Sequence, residues 1–153
     1  MTTLPRLNPD ELISKLEQQR LENEGDCLLA FDADHTLWDA DVGVDVFEAL
    51  LHSRKMRNAP AAALLAELSR FSIEVPRDSD VHELARALHQ SFLMGKYPDD
   101  LAYAMHAWAF AGFSEAEARQ FADEVARAIG LDSKIRPVFR HILSWAKSKN
   151  ILS

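Results

Sequence analysis

Cysteine and long apolar runs are the scarcest features of this 153-residue sequence. Its single cysteine, Cys27, has no second thiol in the chain to pair with, so an internal disulfide is excluded. Every apolar run is much shorter than the ~20 residues that cross a membrane, and the opening MTTLPRLNPDE lacks the apolar core of a secretory signal. We therefore expect a cytoplasmic protein that makes no contact with a membrane.

Basic residues are also fewer than acidic ones: the sequence has 17 Lys and Arg against 24 Asp and Glu, which gives a net charge of −7. Proteins that bind nucleic acid neutralise phosphates with Lys and Arg, so a nucleic-acid partner is not expected. The 48% hydrophobic and 27% charged residues are typical of a folded globular domain rather than a disordered chain. The length is that of one domain, and no pattern in the sequence predicts an oligomeric state.

Residues 27–38, with the sequence CLLAFDADHTLW, combine a short apolar run with two carboxylates. The run 27–31 is typical of a strand buried on both faces of a parallel sheet, although a buried helical segment gives the same pattern. Side chains alternate along an extended backbone, so Asp32, Asp34 and Thr36 would project to one side where the strand ends. Ligands of open α/β sheets bind outside the carboxyl ends of the strands, which makes these residues a candidate site. A solvated acidic turn is the alternative.

The apolar run followed by Asp-x-Asp-x-Thr-Leu resembles the first signature motif of the haloacid dehalogenase (HAD) superfamily, most of whose members are phosphatases. The longer string FDADHTLWDADVGVDVF is similar to the phosphoserine-phosphatase-like branch, in which a helical cap is inserted soon after this motif. The resemblance implies a fragment of an α/β, Rossmannoid fold, mostly helical, with one core strand and an inserted helical cap. It also implies Mg²⁺-dependent hydrolysis of a small-molecule phosphate ester, for example a phosphoserine-like metabolite.

The same resemblance assigns roles to the residues of the motif. Asp32 would attack phosphorus and form an aspartyl-phosphate. Asp34 would protonate the leaving group and then activate the hydrolytic water, and Thr36 would order the loop through its hydroxyl. The Asp32 carboxylate and the Asp34 backbone carbonyl would hold Mg²⁺, a hard cation that prefers oxygen ligands. Asp39 and Asp41 extend the acidic segment, either as a contact for a substrate amine or as solvated loop acids.

Three segments are expected along the chain. Residues 1–41 would hold the N-terminal part of the core and the nucleophile loop, and residues 42–131, which have helical periodicity throughout, would form the cap. Residues 132–153 would form a helix that returns from the cap to the core. An ordinary helical bundle would give the same periodicity as a cap.

Helix starts are well marked in the sequence. Asn8 is expected to be an N-cap with Pro9 at the first helical position, and Gly25 is expected to end that helix. Asp80 and Ser114 each precede a glutamate by three residues, which is the capping-box pattern.

The later HAD motifs are missing from this sequence. In the resembling family a second strand ends in a Ser or Thr that binds phosphate, and a Lys and further acidic metal ligands follow it. The sequence stops at Ile151, Leu152 and Ser153, where that strand would begin. This departure predicts a chain that is truncated after the cap and nearly inactive by itself. The alternative is a catalytically incompetent helical module that binds a partner.

Overall fold

The computed structural model describes residues 8–22 and 27–151, and within these ranges it contains eight α-helices and no strand or sheet. Of the described residues, 63% are helical. The predicted α/β, Rossmannoid fold with one core strand is therefore wrong. The helices are α1 (Pro9–Glu22), α2 (Val42–His52), α3 (Ala61–Arg70), α4 (Val81–Leu93), α5 (Asp99–Trp108), α6 (Glu115–Ala128), α7 (Leu131–Lys134) and α8 (Pro137–Ser148).

The wrong strand prediction concerns residues 27–31. A strand is defined by backbone hydrogen bonds to a neighbouring strand, and an apolar composition does not supply that neighbour. The bridges that follow this segment, Asp34 with Trp38 and Trp38 with Ile135, are isolated and do not extend into a ladder. Leu28 is 67% exposed, whereas burial on both faces of a sheet would cover it. The segment therefore has the composition of a buried parallel strand, but it belongs to no sheet within residues 8–22 and 27–151.

The chain divides into two compact units. The first combines the described residues up to Ala40 with those from Leu131 onward, and the second is Asp41–Gly130. Two separate stretches of sequence therefore build the first unit, whereas one continuous stretch builds the second.

In the first unit α1 packs against α8. An ion pair joins Glu17 on α1 to Lys149, just after α8, with 3.2 Å between carboxylate oxygen and Nζ. The ring of Phe31 meets that of Phe139 on α8 edge to face, with 5.7 Å between centroids. These contacts hold the segment that leads into the acidic loop against α8.

The second unit has its own hydrophobic core. Helix α3 packs on α4, α2 packs on α6, and α5 packs on both α2 and α4. Burying one Leu or Phe side chain completely contributes roughly 1.5–3 kcal/mol towards offsetting the conformational entropy lost on folding. The largest fully buried side chains are Phe47, Leu50, Leu64, Leu68, Leu88, Tyr97 and Met105.

The predicted helix starts are confirmed. Asn8 Oδ1 accepts a hydrogen bond from the Glu11 N–H at 2.9 Å, and Pro9 is the first residue of α1. Asp80 and Ser114 each form a complete capping box with the glutamate three residues later. Each box satisfies backbone N–H groups that have no partner within the helix, so the start of the helix is specified locally. The helix end predicted at Gly25 lies outside the described residues.

Candidate functional site

A tight turn carries the candidate residues of the acidic loop. The Ala33 carbonyl accepts hydrogen bonds from the N–H groups of Thr36 at 3.2 Å, Leu37 at 2.8 Å and Trp38 at 3.3 Å. His35 within this turn has a left-handed backbone with φ of 56°. Only a few per cent of non-glycine residues adopt that conformation, and histidine is among those that tolerate it. The chain therefore folds back on itself directly after Asp32.

The turn places each predicted carboxylate against a different donor. Thr36 Oγ1 donates to Asp32 Oδ2 at 2.6 Å, which is the short distance expected for a hydroxyl on a carboxylate. Trp38 Nε1 donates to Asp34 Oδ1 at 2.8 Å. Asp32 is exposed to solvent, whereas Asp34 is half-buried. The structure therefore brings Thr36 to Asp32, and it holds Asp34 with an indole that sequence reasoning did not single out.

A second segment of the chain is paired with the end of this loop. The Asp39 N–H donates to the Lys134 carbonyl at 3.2 Å, and the Arg136 N–H donates to the Leu37 carbonyl at 3.1 Å. Between these two bonds, Trp38 and Ile135 form an antiparallel bridge. This pairing holds the loop through tertiary contacts, because its hydrogen-bond partners lie nearly a hundred positions later in the sequence.

The same pairing brings a positive charge to the loop. A guanidinium nitrogen of Arg136 lies 3.4 Å from Asp39 Oδ1, and both side chains are largely exposed. Exposed ion pairs of this kind contribute little to stability, about 0–1 kcal/mol. Sequence reasoning missed Arg136, and no local signal could have found it, because it lies 97 residues after Asp39.

Asp41 serves the helix that follows rather than the loop. Its Oδ1 accepts a hydrogen bond from the Val44 N–H at 3.0 Å, which makes it the N-cap of α2. Its Oδ2 lies 3.4 Å from the Tyr103 hydroxyl on α5. Both carboxylate oxygens therefore have partners in the second unit. Asp41, for which a substrate contact and a solvated loop acid were the alternatives, has a capping role that neither alternative included, and aspartate is one of the preferred residues for it.

The acidic loop carries carboxylate oxygens but no cluster of metal ligands among the described residues. Over residues 8–22 and 27–151, no group of three or more His, Cys, Asp or Glu side chains is arranged to hold a metal ion. Asp32 and Asp34 carry hard carboxylate oxygens two positions apart in the loop. Mg²⁺ usually keeps several waters and uses one or two carboxylates together with substrate phosphate, so Asp32 and Asp34 are the residues that would hold it.

No family model matches the sequence, and comparisons with curated proteins and with solved structures give no match. Among the described residues, no helix is both long enough and apolar enough to cross a membrane.

Proposed function

We propose that residues 32–38 are the nucleophile loop of a Mg²⁺-dependent phosphomonoester hydrolase of the HAD type, acting on a small phosphorylated metabolite. The observation that carries the proposal is the 2.6 Å hydrogen bond from Thr36 Oγ1 to Asp32 Oδ2. It orients an exposed carboxylate at the first residue of the motif, as a nucleophile requires.

The proposed reaction has two balanced steps. An Asp32 oxygen attacks phosphorus, the bond from phosphorus to the leaving oxygen breaks, and Asp34 gives that oxygen its proton. A water molecule then attacks the aspartyl-phosphate while Asp34 takes back a proton. The bond between phosphorus and the Asp32 oxygen breaks, inorganic phosphate leaves, and both carboxyl groups return to their initial states.

The Trp38 indole supports this division of roles. Its N–H donates to Asp34 Oδ1 at 2.8 Å. A donor on one oxygen also fixes the plane of the carboxyl group, which a general acid needs in order to meet the leaving oxygen. Asp34 can therefore act as acid and base while Asp32, held by Thr36, acts as nucleophile.

Two charges assist the reaction. Mg²⁺ held by the Asp32 carboxylate and the Asp34 backbone carbonyl would supply electrostatic shielding between the nucleophile and the anionic phosphate. Arg136 adds a positive charge beside the loop, and its exposed pairing with Asp39 is weak enough to be exchanged for a phosphate oxygen. A guanidinium suits that exchange because its planar donors match phosphate geometry.

The test is a single-turnover experiment with excess enzyme and a generic aryl phosphate, so that slow hydrolysis is detectable. Wild type, Asp32→Asn and Asp34→Asn are compared with and without Mg²⁺. Asp123→Asn is the matched control, because Asp123 is an exposed aspartate on α6. We expect Asp32→Asn to abolish hydrolysis and Asp34→Asn to slow it by about 10²–10⁴-fold, the range typical of general acid–base catalysis. The control should match wild type.

Mass spectrometry of the stopped reaction adds a second measurement. One base-labile phosphoryl group should be found on the peptide that contains Asp32 and should be missing in Asp32→Asn. Hydrolysis that survives Asp32→Asn, or wild-type protein that shows neither Mg²⁺-dependent hydrolysis nor the labelled peptide, would refute the proposal.

A further inference from the structure

A chain of three titratable side chains crosses the interior of the second unit. His89 Nε2 on α4 lies 3.2 Å from Glu48 Oε1 on α2, and His89 Nδ1 lies 3.3 Å from His106 Nε2 on α5. Both imidazoles are buried, with His89 5% and His106 6% exposed, whereas the Glu48 side chain is 43% exposed. The three groups therefore link α2, α4 and α5 from the solvent edge to the core.

The inner end of this chain is enclosed by aromatic rings. The Phe47 ring stacks on His106 with 4.2 Å between centroids and 23° between planes. Phe92 and Tyr103 meet the same imidazole edge to face at 6.1 Å and 5.9 Å. Nδ1 of His106 is buried and has no hydrogen-bond partner among the described residues. A charge placed on this ring would be poorly solvated, and burial disfavours the charged form of a group.

The three side chains can take up one extra proton and keep both hydrogen bonds, but they cannot take up two. With both rings neutral, His106 Nε2–H donates to His89 Nδ1, and His89 Nε2–H donates to Glu48. A first proton on His89 reverses the inner bond, so that His89 Nδ1–H donates to His106 Nε2 and the proton of the neutral His106 ring moves to its Nδ1. The Glu48 carboxylate balances the charge. A second proton on His106 puts two N–H donors face to face with no acceptor between them. The contact between His89 and His106 must then break.

We propose that Glu48, His89 and His106 form an acid-sensitive latch, a hydrogen-bonded chain whose double protonation separates α4 from α5 and loosens the bundle of α2, α4 and α5. The proposal rests on the two hydrogen bonds, the burial of both rings and the aromatic enclosure of His106. It is independent of the chemistry proposed for residues 32–38, because all of its groups lie in the second unit.

The charges that face His106 set the pH range of the latch. Burial and the neighbouring His89 lower the pKa of His106 from 6.5 to about 4, while the carboxylates of Asp41 and Glu48 oppose that change. The unfolded chain therefore binds this proton at higher pH than the folded chain does. The contribution of His106 to the free energy of unfolding is therefore complete above pH 6.5 and is lost as the pH falls towards 4.

The test measures urea unfolding of the full chain by far-UV circular dichroism at pH 7 and pH 5. Wild type is compared with His106→Gln, whose amide can still donate to His89 but does not titrate. His141→Gln is the control, because His141 is an exposed histidine on α8. When the pH is lowered from 7 to 5, protonation of His106 in the unfolded chain should raise the unfolding equilibrium constant roughly 20-fold. We expect wild type and His141→Gln to show this increase and His106→Gln to lack it.

A titration of the imidazole by NMR in the wild-type protein decides the matter if His106→Gln does not fold. The His106 Cε1–H resonance should titrate with a midpoint below pH 5, and the amide signals of α4 and α5 should change in the same range. A midpoint at or above pH 6.5 would overturn the proposal. An equal pH dependence in wild type and a folded His106→Gln would overturn it as well.

Discussion

Replacing Tyr97 by phenylalanine removes one hydroxyl group from the core of the second unit and leaves the ring in place. Tyr97 is 1% exposed, and its hydroxyl donates to Glu67 Oε2 on α3 at 3.1 Å. The ring also meets Phe71 edge to face, with 5.0 Å between centroids. Since Tyr97→Phe keeps the ring contact, the change in free energy of unfolding reports on the hydrogen bond.

The expected loss is about 1.5 kcal/mol. A hydrogen bond to a charged group contributes roughly 1.5–3 kcal/mol. The Glu67 side chain is only 14% exposed but keeps an ion pair with Arg70 at 3.3 Å, so the carboxylate is not left alone and the lower end of that range applies. The chain's other tyrosine is the control: Tyr103 is 50% exposed and its hydroxyl bond to Asp41 is longer, 3.4 Å. Tyr103→Phe should therefore cost less than about 0.5 kcal/mol.

Urea unfolding followed by circular dichroism measures both variants, and Glu67→Ala completes a double-mutant cycle with Tyr97→Phe. Burial and the bond to Glu67 raise the pKa of Tyr97 from 10 to about 12. The unfolded tyrosine loses its proton first, so the contribution of Tyr97 should decline as the pH rises from 10 towards 12. A coupling energy near zero between Tyr97 and Glu67, or equal losses for the two tyrosine variants, would refute the reasoning.

Three further changes test other parts of the structure. Leu88→Ala, at a fully buried position of α4, should lower the free energy of unfolding in urea by about 2–5 kcal/mol. Leu93, on the same helix, is 63% exposed, so Leu93→Ala should lower it far less, and similar losses would contradict the assigned core. Ser114→Ala should lower the free energy of unfolding by about 1 kcal/mol because it removes the capping box of α6, whereas Ser114→Gly should lower it by only a few tenths. Equal losses for the two variants would argue against a capping role. Arg136→Gln should weaken the binding of inorganic phosphate about fivefold in calorimetry, because a solvent-exposed charge contact contributes roughly 1 kcal/mol. An unchanged affinity would show that Arg136 does not contact phosphate.

The sequence by itself determined the features that depend on near neighbours in the chain. The starts of α4 and α6 follow from Asp80 and Ser114, because a capping box involves residues only three positions apart. The contact between Thr36 and Asp32 spans four positions, so the motif that proposed these residues also contains the geometry that joins them. Local hydrogen bonds of this kind are the same in any tertiary context that permits the turn.

Tertiary structure decided everything that depends on distant pairing. The apolar run 27–31 was compatible with a buried strand, but a strand needs a partner that lies elsewhere in the chain, and the described residues form no sheet. Arg136 reaches Asp39 across 97 positions, and Glu48 reaches His89 across 41. Periodicity shows which face of a helix is apolar but not which helix covers it, so the buried chain from Glu48 to His106 could be found only from the packing of α2, α4 and α5.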